Sequence, residues 1–185
     1  LIDGSRHAAV EVFDKIDDGA GFPSTSQYVF RYDWQHFRSQ NLPASRLDSS
    51  RILKEQNVNN IVFIDSRVTG YQTLVNGLKP GSEWFLIDGQ SAGIEQIATL
   101  LRGRTAIDTL HIYSHGNEGT LFLGNTAVNS GNLGDYRSQL REIASSLTNS
   151  ADILLYGCNV AAGVSGLQFI NALADMTGAD VAASN

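Results

Sequence analysis

The stretch "DTLHIYSHGNEG", from Asp108 to Gly119, sets a short apolar strand directly before a polar turn. The strand ends at Ser114, and His115 and Gly116 follow it at once. Short strands that are apolar along most of their length are typical of a parallel sheet covered by helices on its faces. A histidine just past such a strand either does no more than end the strand or belongs to a functional site at the edge of the sheet.

The same pattern recurs along the chain. Short apolar strands alternate with amphipathic helices, which is typical of an α/β fold. The predicted strands are Ile61–Asp65, Glu83–Asp88, Asp108–Ser114, Asp152–Gly157 and Asp180–Ala183. The predicted helices are Tyr71–Leu78, Gly93–Leu101, Leu133–Leu147 and Gly166–Met176, and Thr120–Gly124 is predicted as a small hairpin arm. We therefore expect a three-layer α/β sandwich with a mostly parallel sheet.

The first fifty or so residues follow a different pattern. Between Tyr28 and Trp34 aromatic residues alternate with other residues, as in a strand with one aromatic face. Ala8–Phe13 is the predicted hairpin partner of that strand. We expect residues 1–55 to form a β-hairpin-like extension packed on the core, or alternatively a pro-segment or lid. Residues 56–185 are the predicted α/β domain.

The two ends of the chain suggest a piece of a longer protein. It begins at Leu1, and its only methionine is Met176. It stops at Asn185, directly after the last predicted strand. We expect the α/β domain to be incomplete at its C-terminal end. Cleavage of the chain by itself after Asn185 is one hypothesis for that end, and an arbitrary boundary or local disorder explains it equally well.

Composition narrows the classes of function. Of 185 residues 42% are hydrophobic and 17% charged, and the formal net charge is −6. The 13 basic residues are scattered, whereas a protein that binds a nucleic-acid backbone needs a basic face. No apolar run approaches the roughly 20 residues of a membrane span. One cysteine and four histidines show no metal-ligand spacing, so we expect neither a metal nor a cofactor.

Polar groups follow the predicted strands where a site is expected. Ligands of open α/β sheets bind beyond the carboxyl ends of the strands. His115 follows one strand, and Cys158, the only cysteine, follows another. A thiol attacks as its thiolate, and a neighbouring imidazole can take its proton or stabilise the anion. The amides of Gly116 and Cys158 are then candidate donors to an oxyanion.

Plainer interpretations stand beside this one. A free cysteine often fills a core, and a histidine at a strand end is often only a cap or a surface residue. A third catalytic partner is not obvious, since Asp65, Asp88 and Asp108 serve equally well to begin or end strands. His111 lies inside its strand and is predicted to be a buried, hydrogen-bonded core residue.

The chain resembles the caspase–gingipain–legumain superfamily of cysteine peptidases in having a strand that ends in His-Gly and a later strand that ends in a small residue and Cys. The cysteine lacks the caspase Gln-Ala before it. A closer resemblance is to a bacterial domain of unknown function found near the N-termini of very large secreted, repeat-rich, adhesin-like proteins. The matching stretches are "IVFIDSRVTGYQTLVNGL", "GIEQIATLLRGRTAIDTLHIYSHGNEGTLFLGN", "ADILLYGCNVAAG" and "TGADVAAS".

The resemblance implies roles for particular residues. His115 would be the general base or imidazolium partner, Cys158 the nucleophile, and the amides of Gly116 and Cys158 the oxyanion donors. In that superfamily the primary specificity pocket draws on two regions, one after the first strand and one after the strand that follows the cysteine. Here those regions correspond to Asp65-Ser66-Arg67 and to the chain around Ser184.

We therefore expect a cysteine endopeptidase, able to process its own chain, inside a large bacterial protein that is secreted or held at the cell surface. Its partner would be a peptide or protein substrate, with no nucleic acid and no membrane insertion. One variant of this hypothesis is a peptidase held latent by residues 1–55. The alternative is a non-catalytic module of caspase-like fold that serves in anchoring, secretion or adhesion.

Overall fold

The structure is a computed structural model that describes residues 8–11, 59–79 and 82–185. Its main sheet has six strands, all paired in parallel, in the order β1-β9-β8-β4-β2-β3. These strands are β1 (Ala8–Glu11), β2 (Asn60–Asp65), β3 (Glu83–Ile87), β4 (Ile107–Tyr113), β8 (Leu147–Tyr156) and β9 (Asp180–Ser184). The helices are α1 (Tyr71–Gly77), α2 (Gly93–Leu101), α3 (Arg137–Ser146), preceded by a 3₁₀ turn over Leu133–Tyr136, and α4 (Gly163–Thr177). The predicted α/β class and parallel sheet are confirmed.

The core lies on one face of this sheet, under three helices. Ile97 and Leu101 of α2, Leu140 of α3, and Phe169 and Ile170 of α4 are almost fully buried there. Buried residues recur at intervals of three or four along each helix, as from Ile97 to Leu101, from Leu140 to Ile143 and from Phe169 to Leu173, and form the apolar stripe that packs on the strands. The connections through α2, α3 and α4 all advance across the sheet in one direction, and the connection through α1 runs the other way. Because such crossovers are right-handed, α1 belongs to the opposite face.

The apolar strands at the centre of the sheet fix its register. Ile64 of β2 is paired with Tyr113 of β4, which is paired with Tyr156 of β8. These three residues are the last or next-to-last of their strands, so the carboxyl ends of β2, β4 and β8 form one level edge. Whatever follows the three strands is therefore brought together.

A second, antiparallel sheet is inserted after β4. It consists of β5 (His115–Asn117), β6 (Thr120–Leu123) and β7 (Thr126–Asn129). The predicted hairpin arm at Thr120–Gly124 is part of it. Gly124, with φ 59°, forms a bridge to Ala92 that ties the far end of this sheet to the start of α2. A side chain on Gly124 would collide with the carbonyl oxygen of Ser91, so this contact requires glycine.

The N-terminal strand joins the main sheet. Ala8–Glu11 pairs in parallel with β9, from Ala8 with Val181 to Glu11 with Ser184. The aromatic strand predicted at Tyr28–Trp34 lies outside the described residues. Its pairing with this segment, and the boundary at residue 55, therefore stay predictions. Among the described residues, no helix is long and apolar enough to cross a membrane.

Candidate active site

The two residues singled out as nucleophile and base lie at the level edge of the sheet. His115 is two residues beyond Tyr113, and Cys158 is two residues beyond Tyr156, the residue paired with Tyr113. Both side chains are exposed. The register of β4 and β8 thus brings the backbones of His115 and Cys158 to corresponding positions just beyond the ends of adjacent strands.

Close backbone contacts join the segments that carry them. The Ser114 amide donates to the carbonyl oxygen of Tyr156 over 3.2 Å. A Cβ added to Gly116 would lie 2.5 Å from Cγ2 of the buried Val160 and 3.2 Å from the carbonyl oxygen of Cys158. A Cβ added to Gly157 would lie 2.9 Å from the same Val160 methyl and 3.4 Å from the amide nitrogen of Gly116. Glycine at both positions is therefore what allows the two segments to pack together.

The ring of His115 has a defined hydrogen-bond partner. Its Nε2 lies 3.1 Å from the main-chain carbonyl oxygen of Arg67. A carbonyl oxygen only accepts, so Nε2 carries the proton, and in the neutral ring Nδ1 is the unprotonated nitrogen. The preceding hydroxyl of Ser114 donates to the His115 carbonyl oxygen over 3.0 Å. This arrangement leaves Nδ1 as the atom of His115 that can accept a proton.

Cys158 lies in a tight turn that is anchored to the end of β9. Asn159 has a left-handed φ of 56°, which asparagine tolerates better than most residues. The Ala161 amide donates to the carbonyl oxygen of Ser184 over 2.8 Å, and the Ser184 hydroxyl donates to the carbonyl oxygen of Gly157. The backbone on both sides of the cysteine is thus fixed. Ser184, which is predicted to contact substrate, makes both of the hydrogen bonds that fix this backbone.

Asp65 holds the loop after β2. Only 1% of the residue is exposed, and its carboxylate accepts hydrogen bonds from the Arg67 amide at 2.9 Å, the Arg67 guanidinium at 3.0 Å, and the Gly124 amide at 2.6 Å. Burial pushes the pKa of Asp65 upward, but the hydrogen bonds from Arg67 and Gly124 outweigh burial and hold the pKa below its usual value. The acid therefore fixes the main chain of Arg67.

The other two residues predicted for the specificity pocket are more accessible. The Ser66 hydroxyl accepts from the Gly89 amide over 3.0 Å. The Arg67 side chain is 40% exposed and paired with Asp65 at 3.0 Å. Of the two charges in this loop, the basic one is at the surface and the acidic one is inside.

The acids considered as a third catalytic partner have other tasks. Asp88 is exposed and accepts from the Gln90 amide over 3.0 Å within its own turn. Asp108, near the start of β4, accepts from the Asn59 amide at 3.1 Å and the Thr148 hydroxyl at 3.2 Å. The group that orients His115 is instead the carbonyl of Arg67. The sequence does not predict this contact, because every residue has a main-chain carbonyl and no residue type signals it.

His111 is separate from this site. Its Nδ1 lies 3.0 Å from the hydroxyl of Tyr156, and the two rings are stacked with their centroids 5.9 Å apart. Burial, with a smaller effect from the charge of Lys79, lowers the pKa of His111 to about 4. As the sequence predicts, His111 is a hydrogen-bonded, mostly buried residue that is neutral at physiological pH.

Comparison with known proteins gives a family for the chain. A family model described as a domain of unknown function (DUF4347) matches residues 61–185. Neither a curated protein nor a solved structure was found to match. The match begins in β2 and includes His115, Cys158 and all the strand ends described above. The chain therefore belongs to the DUF4347 family.

Proposed function

We propose that the domain is a cysteine endopeptidase of the caspase–gingipain–legumain type, with Cys158 as the nucleophile and His115 as its base. The observation that carries this proposal is the register of the two central strands. Tyr113 pairs with Tyr156, and an exposed histidine and an exposed cysteine each follow two residues later. Two potentially reactive groups at equivalent points of adjacent strands are what a catalytic dyad needs.

The tautomer of His115 suits the role of base. Because Nε2 donates to the Arg67 carbonyl, Nδ1 accepts the thiol proton, and the resulting imidazolium is stabilised by that same carbonyl oxygen. The thiolate of Cys158 then attacks the scissile carbonyl carbon, and a C–S bond forms while the carbonyl π bond opens to an oxyanion.

The glycine after the histidine suits the next step. The amides of Gly116 and Cys158 donate hydrogen bonds to the oxyanion. Because residue 116 has no side chain, the oxyanion can approach the backbone there. As the C–N bond breaks, the imidazolium of His115 gives its proton to the leaving amine. Water, deprotonated by the same imidazole, then hydrolyses the thioester and restores the thiol.

The substrate we propose is a peptide or protein segment, including a segment of the protein's own chain. Ser66 and Arg67, at the edge beside His115, remain the proposed contacts for the substrate residue before the cut. The resemblance to domains of giant adhesin-like proteins supports a location in a large secreted or surface-held bacterial protein.

The test is cleavage of a peptide library, read by mass spectrometry, with wild type, Cys158→Ala, His115→Ala and His111→Gln. The last variant removes a histidine from the same part of the chain but outside the site. We expect wild type and His111→Gln to cleave, Cys158→Ala not to cleave, and His115→Ala to lose at least about a hundredfold in rate, as expected when a general base is removed. Cleavage that survives Cys158→Ala would refute the proposal, and an intact library with every folded variant would favour the non-catalytic module.

A further inference from the structure

A contact beyond the dyad joins the two segments that carry it. Glu118 lies at the tip of the hairpin between β5 and β6, three residues after His115. Its carboxylate accepts a hydrogen bond from the hydroxyl of Ser165, in the first turn of α4, over 2.6 Å. Helix α4 begins five residues after Cys158. One hydrogen bond thus connects the histidine segment to the cysteine segment.

Two glycines make room for this contact, one from each segment. A Cβ added to Gly163, the first residue of α4, would lie 2.3 Å from Oε1 of Glu118. A Cβ added to Gly119 would lie 2.8 Å from the carbonyl carbon of Ser165. Both glycines have a positive φ, 65° for Gly163 and 66° for Gly119. Any side chain at either glycine would therefore push the hairpin tip and the helix start apart.

The first turn of α4 also has no acidic residue of its own that could place a carboxylate beside the helix N-terminus. Its N-cap is Ala162, without a side-chain hydrogen bond, and its first turn contains no acidic residue. The first amides of a helix are unpaired and carry partial positive charge, so a carboxylate is favourable beside them. Glu118 provides that carboxylate from a distant part of the chain.

Other contacts extend the junction toward the dyad. The Gly119 amide donates to the carbonyl oxygen of Val160 over 3.1 Å. Val160 in turn packs against Gly116, directly after His115. The junction is therefore continuous from Glu118 back to the two reactive residues.

We propose that Glu118 is a positioning residue that sets the placement of the His115 imidazole relative to the Cys158 thiol by fixing the β5–β6 hairpin to the start of α4. This inference rests on the proposed function, because it assigns Glu118 an effect only through the dyad. Loss of the carboxylate removes one of the contacts that hold the hairpin tip against α4, and the placement of His115 relative to Cys158 is then less tightly fixed. Small misplacements of reacting groups have large effects on rate.

The test uses the single cysteine of the chain, so that iodoacetamide alkylation followed by intact-mass spectrometry reports on Cys158 alone. The measured quantity is the ratio of the alkylation rate at about pH 7 to that at about pH 9.5, where an ordinary thiol is largely thiolate. A change in accessibility scales both rates and cancels, whereas a change in thiolate stabilisation by His115 changes the ratio. The matched control is Glu95→Ala, which removes an exposed glutamate from the first turn of α2.

We expect Glu118→Ala to lower the ratio toward that of His115→Ala, because a misplaced imidazole stabilises the thiolate less. Glu118→Gln should retain most of the ratio, since its amide oxygen still accepts from Ser165, and Glu95→Ala should match wild type. Ser165→Ala should also lower the ratio, by a smaller factor. If Glu118→Ala does not fold, the ratio measured for Ser165→Ala tests the positioning role instead. A wild-type ratio in folded Glu118→Ala, or in Ser165→Ala when Glu118→Ala is unfolded, overturns the inference.

Failure of the proposed function gives a different result. In that case His115→Ala has the same ratio as wild type, whatever the Glu118 variants do. A ratio lowered by His115→Ala but not by Glu118→Ala rejects the positioning role and leaves the dyad intact.

Discussion

The imidazole Nε2 of His115 donates its hydrogen bond to the main-chain carbonyl oxygen of Arg67, 3.1 Å away. That carbonyl is itself held in place, because the amide of Arg67 donates to the buried carboxylate of Asp65 over 2.9 Å. The orientation of the histidine thus depends on an acid that it does not touch.

Replacement of Asp65 with asparagine should destabilise the domain. The variant keeps the shape but loses the charge that binds the Arg67 guanidinium and the Gly124 amide, at a cost of about 2 kcal/mol, typical of hydrogen bonds to a charged group. Urea unfolding measures the change. Asp88→Asn, an exposed acid in a surface turn, is the control and should change the free energy of unfolding by under about 0.5 kcal/mol.

The contribution of Asp65 should also depend on pH. Folding lowers the pKa of Asp65, so its stabilisation is fully present above about pH 4 and is lost as the pH falls through the lower folded-state pKa. The difference in stability between wild type and Asp65→Asn should therefore be constant from neutral to mildly acidic pH and shrink below that. A difference that grows on acidification would contradict this assignment.

His111 should make the domain less stable in mild acid. Burial and Lys79 lower its pKa to about 4 in the folded state, whereas the unfolded chain has the ordinary value of about 6.5. Between these values the unfolded state binds more protons, so the free energy of unfolding falls as the pH falls, by up to about 3 kcal/mol in total.

His111→Gln is the variant that isolates this effect, since its amide can still bond to the Tyr156 hydroxyl and has no charge at any pH. Its free energy of unfolding, measured by urea titration across this window, should vary less with pH than that of wild type. Equal pH slopes for the two proteins would show that His111 does not titrate as described.

A methyl group at residue 116 should push apart the segment that contains His115 and the segment that contains Cys158. The Cβ of Gly116→Ala would lie 2.5 Å from the buried Val160 side chain, so the backbone after His115 must shift. We expect a loss of about 1–3 kcal/mol, typical of overpacking, and slower alkylation of Cys158. Gly134→Ala is the control, because a Cβ there meets nothing within 4 Å. Equal stability and thiol reactivity in the two variants would show that the Gly116–Val160 contact is dispensable.

The sequence predicts much of this architecture because its signals are local. The apolar strands ending at Asp65, Tyr113 and Tyr156, and the His-Gly and Gly-Cys that follow two of them, are visible as patterns. The start of α4 was placed too late, at Gly166, and the helix in fact begins at Gly163. Ala162, the N-cap residue, makes no side-chain hydrogen bond, so the sequence has no capping signal at the true start of the helix.

The contacts that no sequence pattern predicts are those between distant segments. The Arg67 carbonyl is a main-chain group, and Glu118 and Ser165 are 47 residues apart. Neither pairing has a characteristic spacing. The one local signal is the helix N-terminus after Cys158, which has neither a side-chain cap nor an acidic residue in its first turn.

The central claim is that His115 activates Cys158, and the most direct measurement is the rate at which a peptidyl chloromethyl ketone modifies the intact protein near neutral pH. Mass spectrometry should show one adduct on wild-type protein, none on Cys158→Ala, and formation at least about a hundredfold slower on His115→Ala, as expected for the loss of a base. A folded His115→Ala protein that reacts as fast as wild type, or a wild-type thiol that does not react at all, would contradict the account.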